Sequence, residues 1–389
     1  MGEQKPRVAS PRPSAQLSRA ETSGAETPIF INGRFLAQPQ SGVQRFAGQI
    51  VRALDAGALD EGGGTAAGRQ VSLLVPTGLV RAPQYERIGI REAGRRGGQV
   101  WEQGELPRAA RKGFLINLGN TAPIMAGRRQ LVVIHDAGIF DTPSSYSWCF
   151  RTWYRVLQKR LVERETQIVT VSDFARGRIA QHLRIAPERI AVIGEGAEHI
   201  RQEAADPGIL GCHGLERGRY VLAVGNRAAH KKLDILGAIV PHLKAQGLTL
   251  AVAGSIDQKV FQTQSDDPLG AACLLGRVTD GELRALYENA FCLLFPSSYE
   301  GFGLPPVEAM LCGCPVITGR GTSVEEICGE VALYAGDSPS SLLQCITALA
   351  APELHARLRH EGVHKAERLT WYRAASQLMA VAERQLRNL

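Results

Sequence analysis

Two glutamates eight positions apart enclose a glycine-rich loop in the second half of the chain. Glu300 and Glu308 are the first and last residues of EGFGLPPVE, which holds two glycines and a Pro-Pro pair. Glycine lets a backbone turn its N–H groups toward a ligand, and proline is tolerated in the first turn of a helix. A helix N-terminus favours an anion such as a diphosphate. The stretch indicates a nucleotide-sugar site, with one acid on the sugar and the other on the ribose. A loop with a capping glutamate is the alternative.

Short apolar segments predict the strands that position this loop. They are PIFING at 28–33, QVSLLVP, GFLINLG, RQLVVIHD, TQIVTVSD, YVLAVGN, LTLAVAGS, ACLLGRVTD, FCLLFPS, CPVITG and VALYAG. Amphipathic helices are predicted between them, including one over 42–59, one over KKLDILGAIVPHLKAQ, and SDFARGRIAQHL with Ser172 or Asp173 as its cap. Repeated strand–helix units imply parallel sheets. We therefore predict an α/β fold.

A segment rich in glycine and charge, residues 193–219, divides the pattern into two halves. We predict a disordered tail over 1–27, a Rossmann-like domain over 28–205 and a second over 206–370. The last segment, 371–389, is predicted to be a helix that packs back on the first domain. Ligands of such sheets bind beyond the carboxyl ends of the strands. Glu300 would then lie at the mouth of a cleft between two doubly wound sheets.

The composition limits the classes of partner and the compartment. A net charge of +7 and a pI near 9.1 fit a mildly basic soluble protein, or a surface for phosphorylated substrates or acidic lipid headgroups. The absence of zinc-finger spacing argues against nucleic acid. Several of the eight cysteines lie in apolar runs without metal or redox spacing, which favours the cytoplasm. No apolar run reaches ~18 residues, so no membrane-spanning helix is predicted.

Cationic and imidazole side chains follow other strands. Arg227 and Lys231, four residues apart after YVLAVG, suit a diphosphate leaving group, although a solvated basic turn is the alternative. His135 ends a strand of the first domain and is expected to face the cleft from the opposite side. A lone histidine is more often structural, but its position beside Asp136 favours function.

The stretch EGFGLPPVEAM resembles the acid-x7-acid signature of retaining glycosyltransferases with the GT-B fold, the family 4 (glycosyl transferases group 1) type. The similarity extends through VGNRAAHKKLDIL, GRVTDGELRALYENAFCLLFPS and GCPVITGRGTSVEEICGEVALY, and covers residues 218–375. More loosely, NGRFLAQPQSGVQRFAGQI, VWEQGELP and VIHDAGIF resemble the bacterial polysaccharide-assembly branch, which is often mannosyl- or rhamnosyltransferases.

This resemblance implies a retaining hexosyltransferase that needs no cofactor and no metal. GDP-mannose is the favoured donor, and the acceptor is expected to be a glycan or a lipid-diphosphate-linked oligosaccharide. The enzyme would be cytoplasmic, with peripheral contact to an anionic inner membrane face. A UDP- or dTDP-sugar donor stays open, as does a catalytically silent scaffold or regulatory subunit. A phosphorylase would need a much longer chain. An NAD-dependent oxidoreductase would need G-x-G-x-x-G after the first strand, where NGRFLAQPQSG stands.

The same resemblance implies residue roles. The catalytic candidates are Glu300, His135, Arg227 and Lys231. The donor-binding candidates are Gly42, Arg227, Lys231, Val278, Glu300, Gly301, Phe302, Gly303, Leu304 and Glu308. Thr279, beside Val278, is expected to contact the nucleobase, and Tyr299 is expected to form a wall of the cleft. Glu326 either acts in function or braces the structure. Glu102 and Gln103 are expected to meet the acceptor.

Overall fold

Two parallel β-sheets with helices on both faces form the molecule, and the predicted fold class is confirmed. The computed structural model describes residues 27–58, 69–78, 83–225, 231–232, 234–254 and 272–389. Arg227 and nearly all of the predicted 1–27 tail lie outside these ranges.

The first sheet has the strand order β3-β2-β1-β4-β5-β6-β7, and every neighbouring pair is parallel. Its strands are Ile29–Asn32 (β1), Val71–Val75 (β2), Gly89–Glu92 (β3), Phe114–Asn117 (β4), Gln130–Val133 (β5), Gln167–Thr170 (β6) and Ile190–Val192 (β7). The strand order reverses between β1 and β4, so this domain is doubly wound.

The second sheet has the order β10-β9-β8-β11-β12-β13 and is also parallel throughout. Its strands are Tyr220–Val224 (β8), Thr249–Ala253 (β9), Cys273–Gly276 (β10), Cys292–Phe295 (β11), Val316–Gly319 (β12) and Ala332–Ala335 (β13). Its order reverses between β8 and β11. The strands that precede Lys231 and Glu300 are therefore the two neighbours at the point of reversal.

The helices cover both faces of these sheets. In the first half they are Gly42–Ala53 (α1), Gly98–Val100 (α2), Leu106–Ala109 (α3), Gly138–Asp141 (α4), Trp148–Glu163 (α5) and Asp173–Leu183 (α6). In the second half they are Gly208–Cys212 (α7), Asp234–Gly237 (α8), Val240–Ala245 (α9), Asp280–Asn289 (α10), Leu304–Leu311 (α11), Ser323–Cys328 (α12), Pro339–Leu349 (α13), Pro352–Ala366 (α14) and Trp371–Arg387 (α15). Among the residues that the structure describes, none of these helices combines the length and apolarity needed to cross a bilayer.

The central strands are buried on both faces, which explains their apolar sequences. Every residue of β1, β4 and β11 is buried. Parallel strands covered by helices on both sides lose the alternation of apolar and polar residues, so continuous apolar runs were the correct signal. The edge strand β3 is exposed and β7 has only three residues, which explains why the apolar pattern did not reveal either strand.

The predicted helix over KKLDILGAIVPHLKAQ is wrong as a single element. The structure has two short helices there, α8 and α9. Pro241 lies in the first turn of α9. Because proline has no N–H, it cannot continue the hydrogen-bond pattern of a preceding helix, and the chain restarts at this point.

The last helix, α15, packs on the first domain although it follows the second domain in the chain. It contacts α1 and β4. The buried Trp371 ring lies 5.8 Å from the Phe46 ring, measured between centroids, and Arg69 Nε lies 2.7 Å from Glu383 Oε1. The helix therefore links the two domains.

Candidate active site

An ion pair connects the two loops that follow the strands at the point of reversal in the second sheet. Lys231 Nζ, after β8, lies 2.6 Å from Glu300 Oε1, after β11, and both side chains are partly buried. The ammonium group also lies 5.2 Å from the centroid of the Phe295 ring. Ser323 Oγ donates a hydrogen bond of 2.9 Å to the Glu300 carbonyl oxygen, which holds the loop in place. Two predicted catalytic residues, 69 positions apart, thus meet at one point.

The glycines of the loop are required by close packing and by backbone conformation. A Cβ atom on Gly301 would lie 2.2 Å from the carbonyl oxygen of His135, so the loop touches the first domain through its backbone. Gly303 has φ +97° and precedes α11, where a Cβ would meet Val324 at 2.7 Å. The Phe302 side chain is buried in the core, so only its backbone can face a ligand. Leu304, the first residue of α11, is partly buried.

His135 is held within the first domain. Its Nε2 lies 3.0 Å from the Leu118 carbonyl oxygen, and its Nδ1 lies 3.5 Å from Glu195 Oε1. A carbonyl only accepts, so Nε2 carries the proton. The ring also meets the Phe46 ring edge-on, with centroids 4.6 Å apart. His135 therefore approaches Gly301 through its backbone, and the catalytic role of its ring stays a prediction.

Glu195 is a buried acid that the sequence reasoning missed. Burial raises the pKa of its carboxyl group, and the hydrogen bond with His135 opposes that rise. The residue follows β7, a strand of only three residues. Recognising that strand would have marked Glu195 as an acid at a carboxyl end, which is the position used to select Glu300.

Glu308 lies in α11 and is buried at the boundary between the domains. Its Oε1 is 2.9 Å from His199 Nε2, and its Oε2 accepts a hydrogen bond of 3.1 Å from the Tyr287 hydroxyl group. Trp371 Nε1 donates to His199 Nδ1 at 3.0 Å. Burial acts to raise the pKa of Glu308, but the bond from His199 and the nearby Arg45 bring it below its ordinary value. The predicted ribose contact of Glu308 stays a prediction.

Polar contacts join the domains on each side of the loop. Arg45 of α1 makes two hydrogen bonds of 2.7 Å to the Asp280 carboxylate at the start of α10. Glu326 accepts from the backbone N–H groups of Asp173 and Phe174 at 2.9 and 2.8 Å. These donors belong to the first turn of α6, so Glu326 supports the N-terminus of a helix in the other domain. These contacts match the bracing role, which was one of the two roles expected for Glu326.

Tyr299 and Ser172 complete this contact. The Tyr299 hydroxyl oxygen accepts from the Ala137 N–H at 2.8 Å, and Ser172 Oγ donates to the Gly301 carbonyl oxygen at 2.6 Å. Ser172 is also the cap of α6, because its Oγ accepts from the Ala175 N–H at 3.0 Å. Tyr299 thus lies against the first domain, where a cleft wall was predicted.

A pocket of about 510 Å³ opens between the domains beside this contact. Its lining includes Gln40 and Arg45 from the first domain and Arg277 and Val278 from the second. Thr279 begins α10 with a reciprocal cap, in which its N–H donates to Glu282 and its hydroxyl group accepts from the Glu282 N–H. Because the N–H and hydroxyl groups of Thr279 are used in this cap, the predicted nucleobase contact falls to the backbone of Val278.

Gly42 starts α1, the first-domain helix at the cleft. A Cβ atom there would have no heavy atom within 4 Å. Neither crowding by the protein nor a positive φ requires glycine at this position. The close approach of a bound donor to Gly42 therefore stays a prediction.

A second pocket, of about 300 Å³, lies in the first domain at the carboxyl ends of its central strands. Its base is polar: Glu102 Oε1 is 2.8 Å from Asn32 Nδ2 and 3.2 Å from Arg34 Nε, and Glu102 Oε2 accepts from Thr121 Oγ1 at 2.8 Å. Aromatic side chains form one side of the pocket, namely Phe35, Tyr146, Phe150 and Tyr154.

The two residues predicted to meet the acceptor differ in position. Glu102 lines this pocket. Gln103 holds backbone instead, because its amide donates to the Ala122 carbonyl oxygen at 3.0 Å and accepts from the Ile124 N–H at 3.1 Å. The sequence reasoning missed Asn32, the last residue of β1, and Arg34 just after the strand, and both line the same pocket.

Residues 218–351 match the model of the family described as glycosyl transferases group 1. The matched segment contains Lys231, Glu300 and Glu308, the residues that the geometry singles out. The match to the group 1 glycosyl transferases thus lies in the carboxyl-terminal domain. The family predicted from the sequence is thereby confirmed.

Curated relatives of this chain include two bacterial enzymes named for the same sugar. The chain is 28% identical over 241 residues to the O-antigen chain mannosyltransferase RfbU of Salmonella typhimurium, covering 59% of this chain and 62% of that protein. It is 27% identical over 271 residues to the O-antigen chain mannosyltransferase B of Escherichia coli, covering 64% and 68%. The chain thus spans less than two thirds of the length of the Salmonella relative.

A third relative is the GDP-mannose:cellobiosyl-diphosphopolyprenol alpha-mannosyltransferase of Komagataeibacter xylinus. It is 26% identical over 261 residues, covering 64% of this chain and 63% of that protein.

Solved structures share the fold over nearly the whole chain. The sucrose-phosphate synthase of Thermosynechococcus elongatus has a TM-score of 0.70 at 17% identity, covering 93% of this chain and 99% of that one. Anabaena HepE, solved in complex with UDP and glucose, has a TM-score of 0.67 at 16% identity, covering 93% and 100%. The GT-B architecture predicted from the sequence is confirmed.

Proposed function

We propose that this chain is a retaining glycosyltransferase that transfers mannose from GDP-mannose to a glycan acceptor in polysaccharide assembly. Membership of the group 1 family supports glycosyl transfer, and relatives named as O-antigen chain mannosyltransferases support the sugar and the pathway class. The relative named for GDP-mannose and a diphosphopolyprenol acceptor supports the donor and a lipid-linked acceptor.

The observation that carries the proposal is the ion pair between Lys231 and Glu300. It places a cation and an acid together at the carboxyl ends of the two strands where the sheet order reverses. That is where ligands of doubly wound sheets bind. The lysine suits the diphosphate, and the glutamate suits the sugar hydroxyl groups that lie next to it.

The proposed reaction exchanges one bond at the anomeric carbon for another. The bond from that carbon to the diphosphate oxygen breaks through an oxocarbenium-like state. The acceptor hydroxyl oxygen attacks the same face, and its proton passes to a phosphate oxygen. Lys231, Arg227 and the N-terminus of α11 stabilise the negative charge that grows on the diphosphate. Glu300 positions the sugar.

The two pockets suit the two substrates. The pocket at Arg45 and Val278 adjoins α10, and we assign it to the nucleotide. The pocket in the first domain combines charged and amide groups with aromatic side chains, which bind the hydroxyl groups and the apolar faces of a sugar ring. We assign it to the acceptor.

The first experiment is a thermal-shift series with GDP, UDP, dTDP and ADP and their common sugar derivatives. A ligand that binds only the folded state stabilises it by about 2.7 kcal/mol at 100 times its dissociation constant. We expect the largest shift with GDP and GDP-mannose. A shift with UDP or dTDP compounds alone would reassign the donor, and no shift with any nucleotide would favour the silent scaffold.

A transfer assay then tests the reaction itself. Purified chain, GDP-mannose and a mannose-bearing acceptor are incubated with and without EDTA, and the anomeric configuration of the product is read by NMR. We expect an α-linked product in both conditions. An inverted configuration would contradict the retaining mechanism, and activity that disappears with EDTA and returns with a divalent cation would contradict the metal-independent one.

A further inference from the structure

Helix α5 has two faces with opposite environments. Its inner face is buried through Leu157, Gln158 and Leu161. Its outer face bears large apolar side chains in solvent: Trp148 is 69% exposed, Val156 48% and Trp153 37%. Trp148, Thr152 and Val156 recur every four residues and so share one side of the helix.

This exposure is concentrated rather than scattered. Within the described part of the chain, seven large hydrophobic residues are exposed, and four of them lie on α5: Trp148, Phe150, Trp153 and Val156. Single exposed apolar residues are normal on a protein surface, whereas a contiguous patch indicates an interaction site. A helix that faced water alone would carry polar residues here.

Cations border the apolar side chains. From Trp148 to Glu165 the chain carries five Lys or Arg residues and two glutamates. Lys159 and Arg160 are exposed and follow Val156 by about one turn, and Arg160 also pairs with Glu163 at 2.7 Å. The neighbouring segment Ile124–Arg129 contacts α5 and exposes Met125, with Arg128 and Arg129 after it. Tryptophan at an interface with lysine and arginine around it is typical of helices that bind anionic membrane surfaces.

We propose that α5 docks on a bilayer that carries anionic lipids, with Trp148, Trp153 and Val156 at the level of the headgroups. Positive charge complements the anionic surface, which selects a bilayer over an apolar protein partner or a second copy of the chain. Binding of this kind lies along the membrane and needs no spanning helix.

Helix α5 contributes both to the proposed docking face and to the lining of the acceptor pocket. Phe150, Tyr154 and Gln158 of the same helix line that pocket, and Phe150 is also partly exposed. A helix with its side chains is about 10–12 Å across, so the pocket lies within one helix diameter of the docking face. This inference rests on the proposed function. Docking through α5 would place the pocket where a lipid-linked acceptor can reach it without leaving the bilayer.

Vesicle binding of the full chain tests the proposal. The probe is a set of vesicles of phosphatidylcholine alone or with 30% phosphatidylglycerol, read by co-sedimentation and by tryptophan fluorescence. The chain has four tryptophans, and Trp101 and Trp371 are buried. A blue shift on adding vesicles therefore reports on Trp148 and Trp153. We expect the shift and the sedimentation with the anionic vesicles, weakening with salt.

Two variants locate the surface. Trp148→Gln with Trp153→Gln should lower the partition coefficient at least tenfold, and Lys159→Gln with Arg160→Gln should lower it roughly fivefold per cation removed. Val100→Gln, which changes an exposed apolar residue away from α5, is the matched control and should bind like the natural chain.

The outcomes separate docking from catalysis. The double tryptophan variant should keep its melting temperature and its transfer to a soluble acceptor, and lose transfer to an acceptor embedded in vesicles. Equal vesicle binding by that variant and the natural chain, or no binding of the folded natural chain to anionic vesicles, would overturn the proposal. Concentration-dependent dimers that the variant abolishes would assign the face to a second copy. Failure of transfer to the soluble acceptor would instead count against the proposed function.

Discussion

The two glutamates of the signature stretch occupy very different surroundings. Glu300 lies in a loop, is partly open to the cleft and pairs with one side chain, Lys231. Glu308, eight residues further on in α11, is buried and hydrogen-bonded to His199 and Tyr287. Through His199, its network continues to Trp371 of the last helix. One acid is available to a substrate, while the other holds the domains together.

The difference shows that equal residue types in one motif carry separable roles. The Lys231–Glu300 pair is partly buried but stays in contact with solvent at the cleft, so water still screens part of its attraction. A buried pair that loses one member leaves an uncompensated polar group and costs several kcal/mol. The region of Glu300 is therefore expected to govern turnover, and the region of Glu308 is expected to govern folding.

The largest expected effect is on turnover, from Lys231→Ala. Loss of a group that stabilises developing charge lowers turnover by about 10²- to 10³-fold. The melting temperature should fall less than in Glu308→Ala, because the Lys231–Glu300 pair keeps contact with solvent while Glu308 is fully buried. Rates of GDP-mannose consumption and a thermal melt measure both quantities. Lys232→Ala, which removes a neighbouring cation paired with Asp337 at 2.9 Å, is the control and should keep most activity. Near-normal turnover of Lys231→Ala would remove this residue from the mechanism.

The largest expected loss of stability comes from Glu308→Ala. The change leaves the His199 Nε2–H and the Tyr287 hydroxyl group without their acceptor, which costs about 3–5 kcal/mol. Chemical denaturation followed by circular dichroism measures it. Glu325→Ala removes an acid of an exposed pair with Arg320 and should cost little. A Glu308→Ala variant that melts normally but no longer binds the nucleotide would assign this acid to the donor site instead.

An intermediate case is Glu326, which bridges the domains from the surface. Glu326→Ala removes the acceptor for two N–H groups at the start of α6, and a lost helix cap costs about 1 kcal/mol. Glu326→Gln keeps one acceptor oxygen and should recover part of the loss. Denaturation curves of both variants are compared with the natural chain. A turnover defect larger than that of Lys231→Ala would show that this acid acts on substrate.

The smallest expected effect is on how stability depends on pH, which should have opposite signs at the buried acids Glu308 and Glu195. The lowered pKa of Glu308 gives stability that is present above the pKa of the unfolded chain, about 4.3, and is lost as pH falls. The raised pKa of Glu195 gives stability that is present below about 4.3 and is lost as pH rises.

Variants at the two positions should therefore respond to pH in opposite ways. The stability deficit of Glu308→Gln should shrink as the pH falls from 6 to 3. Glu195→Gln should gain stability relative to the natural chain over the same range from 3 to 6. Unfolding free energies measured at each pH decide the matter, and parallel curves for both variants would contradict the assignment of opposite shifts.

Much of the fold was predictable because its signals are local. Apolar runs bounded by turn residues marked most strands of both sheets, and Ser172 marked the start of α6. The strands that were missed had the weakest local signal, since β3 is exposed and β7 is short. The position of Glu300 after a strand followed from the same patterns, and so did the placement of Lys231 after β8.

The partners of the site residues were not predictable in the same way. His199 lies 109 positions from Glu308, and Arg45 lies 235 positions from Asp280. Such pairs depend on how two domains face each other, and no periodicity in the chain records that. The ring of His135 shows the consequence. Its position after β5 was predicted, but its partners Leu118 and Glu195 follow other strands, β4 and β7.

The sequence by itself determined the secondary structure, the parallel sheets and the family, since these follow from residue types and spacings within short windows. Only the tertiary structure decided that Glu300 pairs with Lys231, that Glu308 is buried, and that one side of α5 lines a pocket while the other is open to solvent. The physical reason is that burial and charge pairing depend on which distant segments pack together, and those contacts form only when the two sheets and the last helix are assembled.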